Sequence, residues 1–187
     1  RRLPTVLRQS DFKVTAVDKS EVETELYPAS FTNLALDLEP RAQSRFVMNC
    51  PIGESFENKF DKKPDFNIYY VLPHYHEMGN FFKLEAVDAK GNARTIMETE
   101  QKTGDPLGKT LDPVFKMKGE ETLRLTCGYE NPRSERVYYG IGDQEMCVFL
   151  AYIDAPISIA GVALANEPAG EEDGIFMNDS RCGVIGL

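Results

Sequence analysis

Apolar residues recur at every second position over much of the chain. Leu34, Leu36 and Leu38 alternate with their neighbours, as do Phe46, Met48 and Cys50. A longer alternation joins Phe66, Ile68, Tyr70, Leu72, His74 and His76. Segments 80–88, 122–128 and 146–154 are rich in β-branched and aromatic residues. A period of two is the strand period, because successive side chains leave opposite faces of a pleated backbone. Turn-forming clusters punctuate these runs at Lys90-Gly91-Asn92, Thr103-Gly104-Asp105-Pro106 and Asn131-Pro132. No segment carries a sustained i, i+3, i+4, i+7 apolar stripe with caps, so no helix is predicted. The pattern predicts an all-β fold, an antiparallel β-sandwich of roughly eight strands. Residues 166–180 read as a long acidic surface loop leading to Cys182.

Composition narrows the function classes. A chain of 187 residues suggests a single domain with a real core, or at most two small ones. With 21 Lys+Arg against 30 Asp+Glu, the net charge is −9 and no basic stretch is available to displace counterions from a phosphate backbone, which argues against a nucleic-acid partner. No run of about 18 apolar residues exists, so no membrane span is expected. The chain opens on Arg1-Arg2 without a Met or signal peptide, and reads as a processed or trimmed product. None of the four cysteines, Cys50, Cys127, Cys147 and Cys182, forms a C-x-x-C motif. Two disulfides in an oxidising compartment suit this spread, and four buried reduced thiols are the alternative. Asn178-Asp179-Ser180 matches the N-glycosylation pattern, a short and common signal.

Only two histidines are present, and both lie in Leu72-Pro73-His74-Tyr75-His76-Glu77-Met78. On a strand, the i, i+2 spacing sends both imidazoles to one face, where they can form a platform for a metal. Two surface histidines on an edge strand are the plainer alternative. Pro73 cannot donate to a sheet ladder, which predicts an edge or a bulge here. Glu77, one residue after His76, points to the opposite face of a continuing strand, and no third His exists for a cupin-type site. A thioether remains as a third donor: Met146, a soft ligand that favours copper, lies in Tyr138-Tyr139-Gly140-Ile141-Gly142-Asp143-Gln144-Glu145-Met146-Cys147. Core packing is the commoner role for such a Met, and the better assignment for Met48 and Met78. The G-x-G in this segment lacks its third glycine and a following helix, so it is no dinucleotide motif. Asp143 and Glu145 read as turn and surface residues.

Together these pieces resemble the C-terminal catalytic domain of the copper type II, ascorbate-dependent monooxygenases, the family of peptidylglycine α-hydroxylating monooxygenase and dopamine β-monooxygenase. The resemblance rests on H-x-H at His74 and His76, the tripeptide Glu145-Met146-Cys147, and the 70-residue separation of His76 from Met146 (146 − 76). It covers about residues 30–155, leaving an N-terminal extension 1–29 and an acidic C-terminal tail 156–187. It implies a jelly-roll-like sandwich of the monooxygenase/glycosidase-F type. One copper ion, cycling between Cu(I) and Cu(II), would be held by His74, His76 and Met146 for dioxygen activation and C–H hydroxylation, with an external reductant such as ascorbate. It also implies bridges Cys127–Cys147 and Cys50–Cys182 and a secreted or periplasmic location.

Two departures shape the expected function. The family's second copper, held by three histidines on another domain, has no histidines left for it here. An electron-donor domain or protein would have to supply that role. In peptide-hydroxylating members an Arg, an Asn and a Tyr hold the substrate carboxylate; the corresponding positions here are Leu72, Val148 and Leu150. An apolar wall cannot satisfy a buried carboxylate, so the expected small-molecule substrate is apolar or aromatic and not a glycine-extended peptide. Tyr75, Tyr138 and Tyr139 are further pocket candidates, with packing as their plainer role. The non-catalytic alternatives are a copper-binding or copper-handling module and an interaction domain with a vestigial site.

Overall fold

The computed structural model describes residues 13–101, 108–119 and 122–186; the predicted turn at 103–106 lies outside them. The strands are β1 (Tyr27–Asn33), β2 (Asp37–Leu38), β3 (Ala42–Cys50), β4 (Asp65–His74), β5 (Gly79–Val87), β6 (Ala93–Thr99) and β7 (Lys109–Lys118). They continue with β8 (Thr122–Asn131), β9 (Val137–Tyr138), β10 (Val148–Ile153), β11 (Ile159–Ala163), β12 (Glu167–Glu172), β13 (Ile175–Arg181) and β14 (Gly183–Gly186). One six-stranded sheet runs β14-β11-β1-β10-β4-β7 and the other β12-β13-β3-β8-β5-β6, with a small ribbon of β2 and β9. Pairing is antiparallel except for β1 with β11 and β3 with β13. The two sheets form the sandwich that the period-two pattern predicts.

The alternating positions of β3 and β8 explain the core. Phe46, Met48, Leu123, Leu125, Cys127 and Tyr129 are at most 2 % exposed. From the other sheet, Phe31 and Phe149 stack with centroids 4.8 Å apart. Both disulfides form as the resemblance implies, Cys127–Cys147 and Cys50–Cys182. The first ties β8 of one sheet to the residue preceding β10 of the other, and so braces the sandwich directly beside Met146. No helix among the described residues is long and apolar enough to cross a membrane. Two buried disulfides are consistent with an oxidising compartment.

Four expectations from the sequence are corrected. Residues 166–180 are not a loop: they form the β12–β13 hairpin, whose second strand pairs with β3. Thus the 156–187 segment carries four strands, and both sheets are incomplete without it. Leu34 and Leu36 lie in a turn, with only Leu38 on a strand. A helix α1 (Ile52–Phe60) is present, closed by Asp61 in the left-handed conformation. Its apolar contacts come from Ile52, Phe56 and Phe60, spaced by four, too short a stripe to stand out. The fourth correction concerns β4. Phe66 and Ile68 are buried, but so are Val71 and Pro73, which have the opposite parity. The register of β4 shifts between Ile68 and Tyr70 against both neighbours: Tyr69 is an extra residue relative to β10, and β7 bulges there by residues 111–114. Such a bulge reverses the faces beyond it. Tyr70, Leu72 and His74 therefore leave the core and face outward.

Candidate metal centre

The bulge is what brings His74 to the surface. Asp154 pins it by accepting hydrogen bonds from the Asn67 N–H (2.6 Å), the Asn67 side-chain amide (2.7 Å) and the Tyr69 hydroxyl (3.2 Å). Past Val71, where pairing with β7 ends, β4 is paired only with β10, so Pro73 sits where its missing N–H is harmless. His74 is the last residue of β4 and is exposed, while His76 lies beyond the strand, half-buried, at the start of a turn. That turn closes with a Gly79 N–H to His76 carbonyl hydrogen bond of 3.1 Å. Even so, the two imidazoles converge, with centroids 5.4 Å apart and planes at 87°.

Met146, the third residue of the predicted set, lies just before the strand that pairs with β4. Val148 pairs with His74 and Leu150 with Leu72, so the residue numbers of each pair sum to 222. The ladder ends at Val148 and His74: His76 lies two residues beyond β4 and Met146 two residues before β10, on the two segments that leave the same end of the pairing. Val148, Leu150 and Tyr152 share the outward parity, with Phe149, Ala151 and Ile153 in the core. Among the described residues no three His, Cys, Asp or Glu side chains come together as a metal cluster. The two imidazoles are not joined there by a third side chain of those types. The predicted set is chemically suited to copper: two borderline imidazoles plus a soft sulfur favour the reduced ion.

The orientation of His76 is fixed by its neighbours. Its Nδ1 lies 2.6 Å from the Gln144 carbonyl oxygen, which can only accept, so Nδ1 carries the proton and Nε2 keeps its lone pair for a metal. Gln144 is held in turn, its side-chain oxygen accepting the Tyr138 N–H at 2.8 Å. Partial desolvation of the otherwise exposed His74 ring, and then the neighbouring His76, lower its pKa below the usual imidazole value, which favours the neutral form.

Glu145 departs from the sequence-based expectation of a surface residue. It is 1 % exposed, not a surface residue. Its carboxylate accepts the backbone N–H of His76 at 2.8 Å and of Met78 at 2.7 Å. Burial raises its pKa, opposed by those backbone hydrogen bonds. Next to it, the Tyr129 hydroxyl donates to the Met146 carbonyl at 2.6 Å, and burial holds the Tyr129 phenol well above its ordinary value. A capping pattern or charge run would have flagged Glu145; a carboxylate bonded to amides 69 residues earlier leaves no local signal.

The predicted pocket residues divide. Leu72 and Leu150 line an apolar groove of about 500 Å³ with Pro28, Ser30, Tyr70 and Tyr152, which neither histidine lines; His76 instead lines a separate cavity of about 410 Å³ that also holds Arg133 and Asp143. Val148 is mostly buried and pairs with His74. Tyr75 does not join them. It faces the interior, 3 % exposed, with its ring against Gly79 and its hydroxyl bonded to the Gln101 carbonyl. The opposite parity of the residue between two outward histidines is the reason. Tyr139 packs against the core, whereas Tyr138 is half exposed. Asn178 of the glycosylation pattern lies within β13, its amide 3.5 Å from the Arg45 carbonyl.

No protein-family model and no curated protein matches this chain.

Proposed function

We propose that this chain is a mononuclear copper domain of the monooxygenase type, with His74, His76 and Met146 as the ligands. One observation carries the proposal: two imidazoles nearly perpendicular at 5.4 Å, one with its Nδ1 committed to the carbonyl of Gln144, two residues before Met146. Copper bound there would supply the redox chemistry with dioxygen that C–H hydroxylation requires. The chain's own residues do the rest. Gln144 holds the His76 tautomer, the edge position of His74 leaves the ligands open to solvent, and the groove aligns a substrate along the strand.

No charged side chain lines that groove, which supports a neutral apolar or aromatic substrate. Tyr70 and Tyr152 close its far end, with centroids 6.1 Å apart, roughly 13 Å from His74 at the usual strand rise. Electrons would come from outside the chain, from ascorbate or a donor protein, because both histidines are already committed to one site. That same count favours a second reading, a copper-binding module without catalysis. The disulfides suit a secreted or periplasmic location.

Titration with Cu(I) against a competing chelator tests the site: Met146→Ala should weaken binding at least tenfold, and unchanged affinity refutes it. Ascorbate-dependent oxygen uptake with apolar substrates, above the free-copper background, separates enzyme from carrier. Absence of uptake in a copper-loaded protein selects the carrier.

A further inference from the structure

We propose that Glu145 is a positioning residue of this copper site, whose carboxylate ties the His76 turn to the segment that carries Met146 by accepting the N–H groups of His76 and Met78 together. The inference rests on the copper reading and adds to it the element that assembles the ligands. His76 lies beyond the end of β4, so sheet pairing does not place it. Something else must hold that backbone.

Two consecutive residues on the facing segment, Gln144 and Glu145, do so, and the next, Met146, is anchored to β8. The Gln144 carbonyl takes the His76 ring N–H, the Glu145 carboxylate takes the two backbone N–H groups, and the Met146 carbonyl is held by Tyr129. Glu145 is itself fixed from both sides, its N–H donating to the Tyr138 carbonyl and its carbonyl accepting from Gly140, each at 3.0 Å. Cys147 then locks the segment to β8. Nothing in this chain of contacts is a charge pair: none of the ion pairs among the described residues includes Glu145. A buried carboxylate without a basic partner is costly unless amide donors satisfy it. Two N–H groups aimed at two oxygens do so, and a carboxylate is the only side chain of this length that offers two acceptors and no donor.

That requirement makes the conservative substitution informative. Glu145→Gln keeps the volume, but one of the two N–H groups would then meet an amide NH₂, donor against donor. Groups that orient a ligand typically change metal affinity 10- to 100-fold when replaced. Glu145→Gln should therefore weaken Cu(I) about 10- to 100-fold, and diminish the copper–sulfur scattering in X-ray absorption of the loaded protein. Loss of stability alone, as in the control Phe56→Leu in α1, would leave that scattering unchanged.

Should the variant not fold, hydrogen exchange of the wild-type apo protein decides the matter. The His76 and Met78 amides must be protected to the same degree as neighbouring strand amides. Free exchange at either one overturns the proposal, as does Glu145→Gln with wild-type affinity and scattering. A wild-type protein that binds no Cu(I) overturns the copper reading and this proposal together, whereas tight wild-type binding left unchanged in Glu145→Gln overturns only the role of Glu145.

Discussion

Removing the Cys127–Cys147 bridge is the perturbation with the clearest expected magnitude. The two cysteines are 20 residues apart in sequence and tie one sheet to the other. Cross-linking removes loop-closure entropy from the unfolded chain, and for a loop of this length the loss amounts to about 11 cal/mol/K, or about 3 kcal/mol at 25 °C. For the Cys50–Cys182 bridge, which spans 132 residues, the same relation gives about 5 kcal/mol. In a domain of this size each kcal/mol lowers Tm by about 2–4 °C, so Cys127→Ala/Cys147→Ala should melt about 6–12 °C below wild type. Urea denaturation and calorimetry of both double variants provide the assay. The order matters as much as the size: loss of the longer loop should cost about 2 kcal/mol more. A loss below about 1 kcal/mol for the shorter bridge, or equal losses for the two, would refute the unfolded-state reasoning for this protein.

Other expectations follow from single contacts. A Cβ at Gly79 would lie 2.0 Å from Tyr75 Cδ2, so Gly79→Ala should cost about 1–3 kcal/mol in urea denaturation; wild-type stability would show that the Tyr75 ring moves freely. Asp154→Ala removes three hydrogen bonds that hold the β4 bulge and should cost about 1–3 kcal/mol in the same assay, with increased hydrogen exchange at Asn67; an unchanged exchange rate there would show that the bulge holds itself. Leu150→Arg places a charge in the apolar groove and should abolish binding of a neutral aromatic probe, followed by NMR shifts at Tyr70 and Tyr152, while leaving Cu(I) affinity within threefold of wild type; retained probe binding would place the substrate elsewhere. Cu(I) titration of Met146→Ala checks the thioether.

Period-two patterning was sufficient for the class of fold, because burying one face of each strand is a local requirement that every strand writes into its own residues. Phe46, Met48 and Cys50 on β3 carry it plainly. The hairpin of β12 and β13 did not: its first strand is exposed at every position, so no alternation marks Glu167–Glu172 as a strand. Helix α1 was hidden for a related reason, since a nine-residue stripe with contacts every fourth position is brief. Both disulfide pairings followed from the resemblance to a family and not from spacing.

At the site, the sequence by itself determined which donors exist: two histidines separated by one residue, and a Met 70 residues later. It could not determine where they point. One extra residue at Tyr69 reverses the face of everything beyond it, and without that bulge the outward set from Tyr70 to His74 would be in the core. Nor could it reveal that Glu145 is buried against His76 and Met78, since those partners are distant in the chain and the bonds go to backbone amides that every residue possesses. Residue type is a property of the chain, but face and partner are properties of register, and register is set by pairing between segments.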